Sequence, residues 1–257
     1  LHRQPWLARL RHALRKDLLA VHYQPIVPLR PGRIGGVRPT HYEALIRLAD
    51  DPGGRLSPPG EFLPAAERYG LICQLDRAVI AKTLALIARG DCGAQACIAV
   101  NLSALSITEP GMLAYIERQF AHHGVDPARL IVEVTETAAI SDMRLARAFC
   151  AGVNRLGSAV ALDDFGTGFG SFQYLRQLPF QYLKIDGEFI RGLAHSHEDR
   201  LLVQALVGLA SSMGKRTIAE YAEAESAVAL LREYGVDYAQ GYAVGPPRCA
   251  REAFGAS

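Results

Sequence analysis

A series of short apolar runs in this chain each ends in an acid, an amide or a lysine. The series is Glu43 inside the second run, then Asn101, Glu133, the pair Asp163-Asp164, Lys184 with Asp186, Glu220, and Gln240. From Asn101 onward the positions recur every 20 to 36 residues, about the length of one strand-helix unit. One glutamate at the end of a strand is ordinarily a solvated edge or a helix cap. A series in phase is a different matter, because in a strand-helix barrel all strand ends of one sense meet at one face. Carboxylates crowded there repel one another, so either their pKa values rise or cations neutralise them. The donors are all oxygens: Glu43, Glu133, Asp163, Asp164, Glu220 and the amide of Asn101. That set suits hard divalent ions such as Mg2+ or Mn2+. Zinc is disfavoured, since no histidine or cysteine falls in the series. The adjacent pair Asp163-Asp164 points to two ions, one carboxylate bridging them while its neighbour serves the second. Two ions about 3.5–4 Å apart clamp the attacking and leaving oxygens of an in-line phosphoryl displacement. Lys184 would hold the attacking water or offset phosphate charge, and Glu220, where a metal does not claim it, would take the proton of that water.

The elements that must carry these groups read as alternating strands and helices. Residues 4–19 show helical periodicity through Trp6, Leu7, Leu10, Leu14 and Leu18. Residues 20–27 read as a strand ended by Pro28, and a loop rich in Gly, Pro and Arg, a candidate hairpin, leads back into a strand over 41–47. Helices are expected over 64–88 (with a break at Tyr69-Gly70), 111–122, 142–156, 172–177, 200–213 and 224–234. Strands are expected over 96–102, 130–134, 159–162, 182–185, 216–219 and 238–240. Such alternation implies mostly parallel pairing. No linker, low-complexity stretch or repeat divides the chain, so residues 1–257 read as a single domain.

The composition sets outer bounds. With 257 residues, 49% of them hydrophobic and 21% charged, the chain has the size and balance of a folded α/β barrel. A net charge of +2 does not predict binding to long nucleic acid or to a membrane surface. The five cysteines show no ligand spacing and read as reduced thiols, which points to the cytoplasm. No apolar run spans a bilayer and no signal peptide is visible. Because the chain begins with Leu1, it is expected to be cut from a longer multidomain protein, with membrane or sensor segments upstream.

The ordered motifs resemble those of one family. Tyr23-Gln24-Pro25-Ile26-Val27 and His41-Tyr42-Glu43-Ala44-Leu45-Ile46-Arg47 look like the opening strands and signature of EAL domains. Further on come Val100-Asn101-Leu102-Ser103, Glu133-Val134-Thr135-Glu136 and Leu162-Asp163-Asp164-Phe165-Gly166-Thr167-Gly168. Leu183-Lys184-Ile185-Asp186, Ile218-Ala219-Glu220 and Gln240-Gly241-Tyr242 complete the order. The resemblance implies a modified (β/α)8 TIM-type barrel whose first strand is antiparallel. It implies hydrolysis of the bacterial second messenger cyclic di-GMP to linear pGpG with two Mg2+ or Mn2+ ions. By motif position Glu43, Asn101, Glu133 and Asp163 would hold the first ion, and Asp163, Asp164 and Glu220 the second. Lys184 would sit by the nucleophilic water. Gln24, Arg47, Asp186 and Gln240 would face the substrate. Glu136 and Glu223 would brace a glycine-rich loop running from Asp164 to Ser171, which meets the partner of a homodimer. An upstream sensor or GGDEF-type domain is the expected neighbour in the full-length protein.

Three positions depart from the family pattern. Tyr221-Ala222 stands where Gly-Val is usual, Gln181 replaces an acid, and Phe169-Gly170-Ser171 replaces Tyr-Ser-Ser. None of these is an expected ligand. The rival reading is a weak or inactive module that binds cyclic di-GMP as a sensor. Such modules lose metal ligands or the signature acid, and this sequence keeps both. A Mg2+-dependent lyase barrel and a purely structural barrel fit the motif order less well.

Overall fold

Alternation with a period of two decides which side chains enter the barrel. The computed structural model describes residues 4–29, 39–49, 54–166 and 175–255. Its strands in chain order are β1 (Leu19–Pro28), β2 (His41–Ala49), β3 (Leu56–Ser57), β4 (Cys97–Leu102), β5 (Leu130–Thr135), β6 (Ala159–Phe165), β7 (Tyr182–Ile185), β8 (Arg216–Ala219), β9 (Tyr238–Gln240) and β10 (Arg248–Cys249). Eight of them close on themselves in the order β1-β2-β4-β5-β6-β7-β8-β9, and β9 returns to β1. β1 is antiparallel to both of its barrel neighbours, and every other pairing around the ring is parallel. The expected barrel with an antiparallel first strand is therefore the observed one. β3 and β10 extend the sheet outside the ring.

The helices are α1 (Gln4–Lys16), α2 (Pro59–Arg68), α3 (Ile72–Arg89), α4 (Ala104–Thr108), α5 (Met112–His123), α6 (Glu136–Ser141), α7 (Met143–Leu156), α8 (Gly187–Arg191), α9 (His197–Ser212), α10 (Glu225–Glu233) and α11 (Ala250–Phe254). The stretch expected as one helix over 64–88 is two, α2 and α3. Gly70 turns between them at φ 65°, a conformation that glycine adopts without steric cost. α7 shows how these helices are built. Asp142 caps its start by accepting the Leu145 N–H at 3.0 Å, and Ala146, Phe149, Cys150 and Val153 form its buried stripe. Gly157 closes it in a left-handed conformation. Strand β6 runs three residues past its expected end, through both aspartates. The helix expected over 172–177 falls partly on residues 172–174, outside the described residues, and Leu175 to Gln177 form a turn. Most of the loop expected before β2 is likewise outside them.

The barrel interior is layered. His41, Tyr182 and Tyr238 pack at its lower end, with ring centroids 4.8–6.1 Å apart. The Arg216 guanidinium lies over Tyr182 at 4.3 Å. Ile26, Ala99, Ile131, Ala161 and Ile218 are buried in the same cluster as the two tyrosines. One further step up each strand, two residues on, brings Glu43, Asn101, Glu133, Asp163, Lys184, Glu220 and Gln240 toward the mouth. Because β1 runs the other way, its Gln24 reaches the same level from the opposite direction, paired with Glu43. No helix among the described residues is long and apolar enough to cross a membrane.

Candidate active site

The polar layer at the mouth is held together by its own side chains. Glu43 Oε1 accepts the Asn101 amide at 2.6 Å, and its Oε2 accepts the Gln240 amide at 2.5 Å. The same Gln240 Nε2 lies 3.1 Å from Gln24 Oε1, and Gln24 Nε2 donates to the Gly245 carbonyl at 3.3 Å. Lys184 stands in the middle, with no exposed surface. Its ammonium lies 2.9 Å from Glu220, 3.0 Å from Glu133, 3.0 Å from Asp163 and 3.9 Å from Glu43.

Asp163 and Asp164 are neighbours in sequence, and a regular strand would point them to opposite faces. The strand is not regular there. Register with β7 shifts between Leu162 and Phe165, and Asp164 adopts φ 54°. This bulge turns the second carboxylate back toward the first. Donor oxygens of Asp163, Asp164 and Glu220 consequently lie within 4.8 Å of one another.

So many acids around one ammonium leave a surplus of negative charge, and the protonation equilibria respond. Burial raises the Glu133 carboxyl well above its usual value; Lys184 opposes this, while Glu43 and Asp163 add to it. Burial likewise pushes Glu220 up to about 8, against Lys184 and with Asp163 and Glu43. Asp164, half-buried beside Asp163, is pushed up to about 6. Glu43 goes the other way. Burial would raise it, but Lys184 and the amides of Gln240 and Asn101 outweigh burial and hold it below the ordinary carboxylate value. Burial would lower Lys184, and its four carboxylate neighbours reverse this and raise it well above 10.5.

Two buried acceptor oxygens in this layer, Glu133 Oε1 and Gln240 Oε1, have no hydrogen-bond donor. Orphaned buried acceptors are costly, and beside so many carboxylates the natural complement is a hard cation. The residues therefore fit Mg2+ or Mn2+.

The remaining expected positions divide. Gln24, Glu43, Asp163, Asp164, Glu220, Glu223 and Gln240 all line one cavity of about 370 Å3, together with Tyr221, Tyr242 and Pro247. Arg47 shares the face of β2 that carries Glu43 and Leu45, and its guanidinium donates to the Ile46 carbonyl at 2.9 Å. Asp186 caps α8 by accepting the Glu188 N–H at 2.6 Å. Glu136 is buried and accepts the Gly166 N–H at 3.2 Å, at the entrance to the glycine-rich loop. Glu223 is exposed on the cavity rim. The loop itself, from Thr167 on, lies outside the described residues, and with it the departures at Phe169, Gly170 and Ser171. Gln181 accepts the Val160 N–H at 2.8 Å, a structural bond that an acid would make equally well.

Asp76 escaped the strand-end pattern because it sits on a helix. It is buried on α3 and accepts the Ser103 N–H and the Ser103 and Ser106 hydroxyls at 2.6–3.0 Å. It borders a second cavity of about 220 Å3, which shares Leu45 with the first and reaches Asn101. The signal was present in the sequence: Asp76 lies on the apolar stripe of Ile72, Leu75, Val79 and Ile80, where an acid is out of place.

Comparison with known proteins bears on this geometry. The chain is 36% identical over 244 residues to the cyclic di-GMP phosphodiesterase PdeB of Shewanella oneidensis, covering 95% of this chain and 28% of that protein. It is 36% identical over 245 residues to the bifunctional diguanylate cyclase/cyclic di-GMP phosphodiesterase MucR of Pseudomonas aeruginosa, covering 95% of this chain and 35% of the relative. The chain thus spans about a third of the length of these relatives. Among solved structures, a MucR phosphodiesterase in complex with c-di-GMP superposes with a TM-score of 0.88 at 34% identity, over 96% of this chain and 99% of the other. The FimX EAL domain from Pseudomonas aeruginosa bound to c-di-GMP gives 0.86 at 30% identity, over 95% and 96%. The model of the EAL domain family matches residues 7–247, a span that takes in every barrel strand and the whole polar layer. The chain is a member of the EAL domain family.

Proposed function

We propose that this domain is a metal-dependent phosphodiesterase that opens cyclic di-GMP to linear pGpG, lowering a bacterial second messenger. The observation that carries this reading is the convergence of Glu43, Glu133, Asp163, Asp164 and Glu220 around Lys184 at the mouth of the barrel. Five carboxylates against one ammonium leave a formal charge that two divalent ions would neutralise. Glu43, Asn101, Glu133 and Asp163 would hold the first Mg2+ or Mn2+, and Asp163, Asp164 and Glu220 the second. When bound, the ions supply charge neutralisation at the phosphate and a water of lowered pKa.

The protein's own groups do the rest. Lys184, fixed by three short ion pairs, orients the water and offsets charge on the phosphate. Glu220, beside the ammonium of Lys184, accepts the water's proton. The water oxygen bonds to phosphorus, the bond from phosphorus to the 3′ oxygen breaks, and that oxygen takes a proton from solvent as it leaves, balancing the one given to Glu220. Gln24, Arg47, Asp186 and Gln240 position the substrate. Glu136 and Glu223 brace the glycine-rich loop. The domain works in the cytoplasm as a homodimer, beside an upstream sensor or GGDEF-type domain; the greater length of its relatives supports such a neighbour.

The test is direct. Purified protein is incubated with cyclic di-GMP and Mg2+ or Mn2+, with a chelator control, and product is followed by chromatography. Ion-dependent pGpG is the expected result. Tight binding of cyclic di-GMP with no product in any ion condition overturns catalysis.

A further inference from the structure

Tyr221 follows Glu220 directly and holds its backbone at φ 50°, a left-handed conformation that favours glycine. A bulky residue kept there against its steric preference has a surrounding structure that fixes it. Two neighbours do so. Gly187, the first residue of α8, has no Cβ, and one built there would fall 2.1 Å from Tyr221 Cδ2, so the ring fills the space this glycine leaves. Arg191, one turn further along α8, lays its guanidinium 4.1 Å from the ring centroid. The residue is nevertheless 48% exposed, and it lines the same cavity as Asp163, Asp164 and Glu220.

We propose that Tyr221, clamped by Arg191, is a stacking shelf for one purine base of the substrate and sets the domain's preference for nucleotide diesters. The inference rests on the cyclic di-GMP reading above and deepens it. A base-bearing diester whose phosphate reaches the carboxylate layer has its bases at the rim, where a π-cation stack offers sequence-tolerant affinity worth about tenfold or more. An aromatic ring that merely plugged a gap would be covered by its neighbours; this one keeps half its surface open beside the reacting groups.

The experiment compares Tyr221→Gly, which fits the left-handed backbone, and Arg191→Met with the parent protein. Each is assayed on cyclic di-GMP and on bis(4-nitrophenyl) phosphate, a diester with no purine. For Tyr221→Gly the ratio of kcat/KM for the two substrates falls about tenfold, through KM for cyclic di-GMP. For Arg191→Met it falls in the same direction by about threefold. A ratio that stays constant overturns the shelf, because general damage moves both substrates together. A lower KM for cyclic di-GMP in Tyr221→Gly overturns it too, since the ring would then obstruct the cleft. Where the parent binds cyclic di-GMP without cutting it, calorimetric Kd in chelator replaces KM with the same expected tenfold rise. Failure of the parent to bind or cut cyclic di-GMP removes both proposals, whereas normal turnover with a constant ratio removes only this one.

Discussion

Lys184 Nζ lies 3.0 Å from Glu133 Oε2, and neither side chain has any exposed surface. A pair so buried gains little over an apolar substitute, but breaking it strands a charge in a low-dielectric site. Lys184→Met, measured in chelator, is therefore expected to lose about 3–5 kcal/mol of stability by urea denaturation. A loss under about 1 kcal/mol would show that the carboxylates had simply taken up protons in its place.

Glu43 is held ionised by Lys184, Gln240 and Asn101 against its burial. On the proposed mechanism, Glu43→Ala abolishes hydrolysis while leaving cyclic di-GMP binding measurable by calorimetry, because the rest of the cavity lining is untouched. Chelator does the same to the parent protein, reversibly on adding Mg2+. Parent-like turnover by Glu43→Ala would remove the proposed first ion site.

The bulge at Asp164 separates conformation from chemistry. Asparagine tolerates the left-handed backbone nearly as well as aspartate but cannot neutralise a cation. Asp164→Asn should keep its melting temperature within a few degrees and lose hydrolysis by at least about a hundredfold, since an ion contributes several kcal/mol to such a transition state. Asp164→Val, which resists φ near 54°, should lose both stability and activity. Full activity in the asparagine variant would assign the second ion to other groups.

His41, at the lower end of the barrel, is pushed down to about 4 by burial and by Arg216. Its folded value lies below the unfolded 6.5, so its contribution is intact above pH 6.5 and is lost as pH falls toward 4. Between pH 7 and pH 5 that loss is about 2 kcal/mol. Glu220 and Asp164, whose folded values are raised, act with opposite sign and gain stability as pH falls. Denaturation of the parent and of His41→Phe at both pH values cancels them. The variant should lose about 2 kcal/mol less over this interval, and equal losses would show that His41 does not titrate there.

The barrel strands were legible because each apolar run breaks at its polar end residue, and the break coincides with the mouth. Period two then places Ala99 with Asn101, Ile131 with Glu133 and Ile218 with Glu220 on one inward face. The antiparallel sense of β1 was not in that pattern; it came from the hairpin reading of the loop before β2 and from the family resemblance. The helices α4, α6 and α8, five or six residues each, are too short for a helical period to register. The bulge between Leu162 and Phe165 was hidden as well, since two adjacent aspartates do not reveal which backbone φ will bring them together. Asp76, which interrupts the apolar stripe of α3, lies on a helix and so falls outside the strand-end pattern.

The aromatic layer of His41, Tyr182 and Tyr238, with Arg216 beneath it, has a consequence for traffic. It stoppers the lower end of the barrel. Among the described residues, the polar chamber opens at the mouth of the barrel, beside Tyr221 and Tyr242. On the proposed function, substrate would enter and product leave at that mouth, past Tyr221 and Tyr242, so that each departure would share its path with the next arrival.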